Sequence, residues 1–375
     1  MNLAAANNQS LADFSTVLIY SAMAVYVLAF LGHIAEWTFG SRSKVARTAS
    51  ALSPRRRSVV APEVRAKAAA GAAGATGAAG AEQAGGTAVL DRPKVVTRSA
   101  STRADVPDGP GAAAGDTQGD LYGTIALALT ILAFLVHAAG VVTRGLSVQR
   151  VPWANMYEFS TTFSMVAVAA YLGLVVAKKN VRWIGLPLVT TVLLDLGLAT
   201  TVLYAESDQL PPALDSYWLV IHVSLAILCG ALLYLGTVGT VLYLFRDRYE
   251  VKLEAGRQPG AFATSVLERL PSAASLDKFA YRINAAVFPF WTFTIVAGAI
   301  WAESAWGRYW GWDPKEVWSF ITWAAYACYL HARATAGWKG RKAAYLALAA
   351  FSCYLFNYYG VNFLFSGQHS YAGVD

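Results

Sequence analysis

WAESAWGRYWGWDPKEVWSFITWAAYACYLH, residues 301–331, decides how this chain is read. Six of its residues are tryptophan: Trp301, Trp306, Trp310, Trp312, Trp318 and Trp323. Its centre, WGRYWGWDPKE, is polar and punctuated by glycine. Both flanks are apolar and belong to runs long enough to enter a bilayer. Trp and Tyr collect where membrane meets water, which by itself explains an aromatic belt. A belt has no need of Trp-x3-Trp-x-Trp joined to Asp-Pro-Lys-Glu. Packed indoles make a flat apolar shelf carrying a few N–H donors. Such a shelf suits a large, planar, partly apolar ligand with charged edges.

The rest of the chain agrees with a membrane setting. It has 375 residues and is 56% hydrophobic, which excludes an ordinary soluble domain. Runs of about twenty apolar residues predict transmembrane helices at about 16–39, 121–143, 157–177, 183–204, 217–245, 287–302, 317–333 and 343–365. The expected fold is therefore an all-α integral membrane protein of about eight transmembrane helices. Residues 1–40 hold the first transmembrane segment. Residues 119–375 form a seven-helix core, with the tryptophan loop at about 301–318. The connection 246–286 is longer, and two amphipathic stretches in it, Phe262–Leu270 and Leu276–Ile283, predict helices lying on the membrane surface.

Residues 41–118 differ in character. They are rich in Ala, Gly and Arg, with AAAGAAGATGAAGAEQAGG at 68–86, and lack apolar periodicity. Such a segment buries too little surface to offset chain entropy and reads as a disordered linker. It carries 12 basic and 6 acidic residues, nearly the whole net charge of +7. That charge is therefore no nucleic-acid footprint. A lipid- or partner-binding arm is the functional alternative to a solvated linker.

Orientation follows from Lys and Arg. Eight spans place 41–118, 178–182, 246–286 and 333–342 on one side, with 26 of the 30 basic residues. That side reads as cytoplasmic, and both termini and the tryptophan loop read as extracytoplasmic. His222, one to two turns into its span, and His369, just past the last span, then share the outer side with that loop. On the residues alone, a satisfied helix-end histidine competes for His222 and a tail residue for His369. His33 reads as a helix-end polar residue, and His137 as structural or gating. Asp195, the one acid deep in a span, is expected protonated or paired to a buried donor. Cys229, Cys328 and Cys353 lie in apolar runs and form no Cys-x-x-Cys, so neither a zinc site nor a thiol exchanger is expected. The sequence also contains neither Cys-x-x-Cys-His nor GxxxxGK[ST], so it is not itself a c-type cytochrome and binds no nucleotide through such a loop.

WGRYWGWDPKEVWS followed by YLHAR resembles the "WWD" signature of haem-handling membrane proteins. The branch it resembles is CcsA/ResC of type II cytochrome c maturation (called CcsB in some bacteria). RVPWANMYEF at 150–159 and YWLVIHVSLAI at 217–227 extend the resemblance over most of residues 120–375. The resemblance implies haem b, held as a bound substrate and presented at the outer face of the plasma membrane. There it is attached by thioether bonds to an apocytochrome c carrying Cys-x-x-Cys-His. It implies His222 and His369 as axial ligands of the iron, and His331 at an inner haem site or entry path. It also implies a ResB-type membrane partner, with which the chain would form a haem–apocytochrome c lyase. The tryptophan shelf supplies a haem platform of Trp306, Trp310, Trp312, Asp313 and Trp318. The outer basic residues Arg144, Arg150, Arg308 and Lys315 are candidates for the propionates, since Arg grips carboxylates with paired hydrogen bonds; pairing with Glu158, Asp313 or Glu316 is the alternative for each. A haem transporter without lyase activity and a membrane b-type electron-transfer cytochrome remain the alternatives.

Overall fold

The computed structural model describes residues 8–39, 121–179, 181–209, 211 and 214–369. The linker expected at 41–118 lies outside the described residues. Every regular element among the described residues is helical. They are α1 (Gln9–Phe39), α2 (Leu121–Val148), α3 (Met156–Val176), α4 (Gly185–Thr201, entered through a 3-10 turn at Arg182–Ile184), α5 (Tyr217–Glu254), α6 (Ala261–Leu267), α7 (Ala273–Trp306), α8 (Pro314–Ala334), α9 (Arg341–Leu355) and α10 (Val361–Leu364). A π turn, Phe356–Gly360, joins the last two.

Six of these helices are long and apolar enough to cross a membrane: α1, α2, α3, α4 with its 3-10 turn, α5 and α7. The other two spans read from the sequence fall on α8 and on the run from α9 through α10. Both are helical but are not among those six. The second amphipathic helix expected on the membrane surface is instead the start of α7. There Leu276, Asp277 and Ala280 are buried, so that stretch faces the bundle. The apolar face of Leu276–Ile283 packs against α5, where Gly239 leaves room for Phe279.

Small residues set the closest helix approaches, as is usual in membranes. A side chain at Gly32 would meet Ala126, and one at Gly140 would meet Ile19, so α1 lies tightly along α2. Ser15 Oγ adds a hydrogen bond to the Gly140 carbonyl at 2.7 Å.

One end of the bundle is riveted by ion pairs whose acids are buried. Arg182 meets Glu36 at 3.2 Å, Arg246 meets Glu250 at 2.8 Å, Arg341 meets Asp247 at 2.6 Å, and Arg333 grips Asp277 through two bonds of 2.6 and 3.1 Å. His33 joins the first of these, bonding Glu36 at 3.2 Å and Thr130 at 3.3 Å. The helix-end polar residue read from the sequence is thus wholly buried, in the last turns of α1. Leaving one member of such a pair alone costs about 3–5 kcal/mol. Asp195 likewise finds its donors, Ser164 Oγ at 2.6 Å and Tyr359 OH at 2.8 Å. His137 is buried against Tyr26, 3.4 Å from its hydroxyl.

Candidate functional site

The tryptophan loop is held rigid from both sides. Gly307 ends α7 in the left-handed region, φ 69°, with its N–H on the Glu303 carbonyl. Glycine takes that conformation without a Cβ penalty. Asp313 starts α8 as the N-cap of a complete capping box with Glu316, and Pro314 occupies the first turn. These are strong helix-start residues. The Glu316 carboxylate also accepts from the amides of Gly311 and Asp313 at 2.8 and 3.0 Å.

Asp313 then ties the chain's last described residues to this frame. Its two oxygens accept from the Gln368 amide at 2.6 Å and from His369 Nδ1 at 2.8 Å. Burial pushes the Asp313 carboxyl up, but the bonds from His369, Gln368 and Lys315 outweigh it and hold the group below the usual carboxylate range. It is therefore an anion facing the His369 ring, and Nδ1 of that ring carries the donated hydrogen.

The second imidazole comes from α5. His222 Nδ1 lies 2.8 Å from the Thr294 carbonyl on α7. A carbonyl only accepts, so Nδ1 is the protonated nitrogen and Nε2 keeps its lone pair. The ring fits because residue 298 is glycine: a Cβ there would sit 2.6 Å from His222 Cε1. Trp301 packs beside this ring at 6.1 Å and nearly parallel, 10° between planes. Its own Nε1 is held by the Leu214 carbonyl at 3.1 Å. His369 approaches Trp301 at 6.1 Å and Trp306 at 5.2 Å. Both imidazoles and both indoles line one cavity of about 200 Å³.

The structure thus brings His222, His369, Trp306, Trp310 and Lys315 to one cavity. Other residues singled out in the sequence stand outside its wall. Trp312 is 70% exposed, on a left-handed backbone, with its edge to Trp310. Trp318 packs on Phe356 at 4.2 Å. Asp313 meets the site through His369. Arg308 pairs with Glu316 at 3.6 Å and lies over the Trp306 ring. Arg144 and Arg150 both bind Glu158, at 3.1 and 2.7 Å, and the Ala205 and Asp208 carbonyls. That double clamp braces the loop that carries Trp153 into the cavity wall. His331 is exposed near the opposite end of α8.

Several wall residues were missed as site residues. Trp301 read as the end of a span, and Trp153 was quoted only within its motif. Trp291, Thr294 and Gly298 carry no signal in a single sequence, because their role depends on what α5 places opposite them.

A family model described as "Cytochrome C assembly protein" matches residues 122–369. Proteins named cytochrome c biogenesis protein CcsA are similar to the chain. The one from Trieres chinensis is 36% identical over 250 residues, 60% of this chain and 78% of its own length. That from Synechococcus sp. (strain JA-3-3Ab) is 34% identical over 300 residues, 68% and 87% of the two chains. That from Guillardia theta is 36% identical over 261 residues, 66% and 85%.

Proposed function

The chain belongs to the cytochrome c assembly protein family and serves cytochrome c biogenesis, and from that premise we propose that it carries haem b to the outer face of the membrane and presents it there for covalent attachment to apocytochrome c. One observation carries this reading. Two imidazoles, from α5 and from the chain after α10, line one tryptophan-walled cavity, and each commits Nδ1 to a fixed acceptor. That is the second-shell arrangement that orients imidazoles as metal ligands and raises their basicity. Two imidazoles saturate a haem iron and keep oxygen from it. The indoles of Trp301, Trp306, Trp310 and Trp153 supply flat apolar surface for the macrocycle.

The chemistry asked of the site is modest. A thiol of the apocytochrome adds across a haem vinyl group, sulfur bonding the inner carbon and the thiol's hydrogen ending on the terminal carbon. No net oxidation occurs, so the protein's task is to orient the substrate and hold its iron. The histidine of Cys-x-x-Cys-His displaces one protein imidazole as the product leaves. A ResB-type membrane partner completes the synthase. His331, on the inner side, lies on the route by which haem arrives.

The test is genetic and chemical. Cells lacking this chain should lose c-type cytochromes, read as peroxidase-active bands that survive denaturing gels, and keep their non-covalent haem b proteins. Undiminished covalent haem overturns the proposal.

The outward placement of the site rests on the basic asymmetry. All four riveting ion pairs lie at the end of the bundle that carries the basic connections. In a background without native cysteines, Ser304→Cys at the outer end of α7 should react with a membrane-impermeant maleimide in intact cells. Ala255→Cys, just past α5, should react only after permeabilisation. The reverse pattern refutes outward presentation.

A further inference from the structure

The cavity wall also carries polar groups that protein atoms do not fully satisfy. Lys315 Nζ reaches across from α8 to the π turn, where it donates to the Asn357 carbonyl at 2.8 Å and lies 3.4 Å from the Tyr358 carbonyl. Its side chain makes no ion pair among the described residues. The acids on either side of it in sequence are engaged elsewhere, Asp313 by His369 and Glu316 by Arg308. Its two hydrogen bonds go to neutral carbonyls, and the Asp313 charge that favours the ammonium is shared with His369. Beside it, Asn357 Oδ1 is buried without a hydrogen-bond partner among the described residues. A half-turn of that amide presents its NH2 instead. One helical turn earlier, Tyr354 meets the Trp291 ring at 5.6 Å. Trp291 is 4% exposed, and its Nε1, a donor only, also has no partner there. Lys315, Asn357, Tyr354 and Trp291 all line the cavity, so the patch is continuous.

A buried donor left alone costs free energy, and two neutral donors beside a cation held only by neutral carbonyls and a shared carboxylate fit an anion with several acceptor oxygens. The geometry points to a carboxylate subsite formed by Lys315, Asn357 and Trp291, which takes the carboxylate edge of the presented macrocycle. This deepens the haem-presenting reading and rests on it. The two carboxylates of haem b occupy the half of the ring opposite its two vinyl groups. Anchoring them at this patch turns the vinyl half away from it, which fixes the edge offered to the incoming thiols. The Glu316 carboxylate on the same wall does not oppose this, since Arg308 and two backbone amides neutralise it.

The experiment uses the full chain purified in nanodiscs and two probes, haem b and its dimethyl ester. Affinity and the reduced absorption spectrum are recorded together. The wild type should bind haem b about 10- to 100-fold more tightly than the ester, the range of a lost charge-assisted hydrogen bond. Lys315→Met should bring that ratio close to one by weakening haem b alone, with the two-nitrogen spectrum kept. Trp291→Phe keeps an aromatic ring and removes the N–H donor together with part of the indole, so it should lower the ratio while the two-nitrogen spectrum is kept. An ester that binds the wild type as tightly as haem b, or an unaltered ratio in both Lys315→Met and Trp291→Phe, overturns the subsite while the histidine reading stands. A wild type that gives no two-nitrogen haem spectrum with either probe overturns the haem reading and the subsite together.

Discussion

His222→Ala and His369→Ala will each remove the low-spin, two-nitrogen haem spectrum from the purified protein, and added imidazole will restore it. Each change deletes one nitrogen ligand and leaves a gap about the size of an imidazole ring. The fold has no reason to fail. His222 holds α5 to α7 by a single bond to Thr294, and Cys229, Leu233, Val287 and Trp291 lie buried in one core cluster deeper along those two helices. His369 contacts Asp313 and the indoles of Trp301 and Trp306, at the end of the chain's described residues. Haem affinity should fall by more than the roughly 10- to 100-fold typical of losing a residue that merely orients a ligand. Free imidazole enters the gap because the apolar wall around it is unchanged. His331→Ala serves as the contrast: it sits at the other end of α8, so it should lower the amount of haem loaded and leave the spectrum of the bound fraction unaltered. An unchanged two-nitrogen spectrum at full occupancy in both alanine variants of the outer pair would sink the ligand assignment.

Why these two histidines were legible in the sequence, and much of the cavity was not, has a physical explanation. Apolar run length reports burial in lipid directly, so the helices stand out. The signal weakens where a span must also host polar groups. In α8, Lys315, Glu316 and Arg333 share the helix with its aromatics, and the last span is interrupted by the π turn at 356–360. These are the two segments that fall short of the other six in length or apolar character. π turns recur at functional sites, and this one places Asn357 and Tyr358 in the cavity wall. Periodicity also misplaced the start of α7. An amphipathic face is the same pattern whether it meets a membrane surface or a neighbouring helix, and here it meets α5.

Site residues divide along the same line. His222 and His369 could be paired because counting spans puts both on the side of the tryptophan loop. The outer arginines could not be sorted that way. Sequence leaves Arg144 and Arg150 open between a propionate and a protein acid, and the fold resolves it: Glu158, buried between them, binds both. Gly298 reads as one more small residue in a span. Its reason is a side chain 76 positions away in sequence, numbered 222, whose ring fills the space a Cβ would need. Contacts of that kind are set by helix pairing, which composition does not encode.

Asp313→Ala should lower haem affinity by about 10- to 100-fold although the residue does not itself line the cavity. It does two things. As N-cap it starts α8, and loss of a cap costs about 1 kcal/mol. As acceptor of the His369 Nδ1 hydrogen, it fixes the ring's tautomer and direction. Asparagine separates the two roles, being as good a cap as aspartate while offering His369 a neutral oxygen in place of an anion. Asp313→Asn should keep the wild-type melting temperature and lose only part of the affinity. The decisive measurement is the double variant. If Asp313 acts through His369, then Asp313→Ala made in a His369→Ala background should change haem affinity little further, since there is no ring left to orient. Residues that work as one unit couple in this way, whereas independent sites add. Two losses that simply add, or an Asp313→Asn protein as impaired as the alanine variant with α8 melting earlier, would mean that Asp313 is only a helix cap and that His369 is oriented by something else.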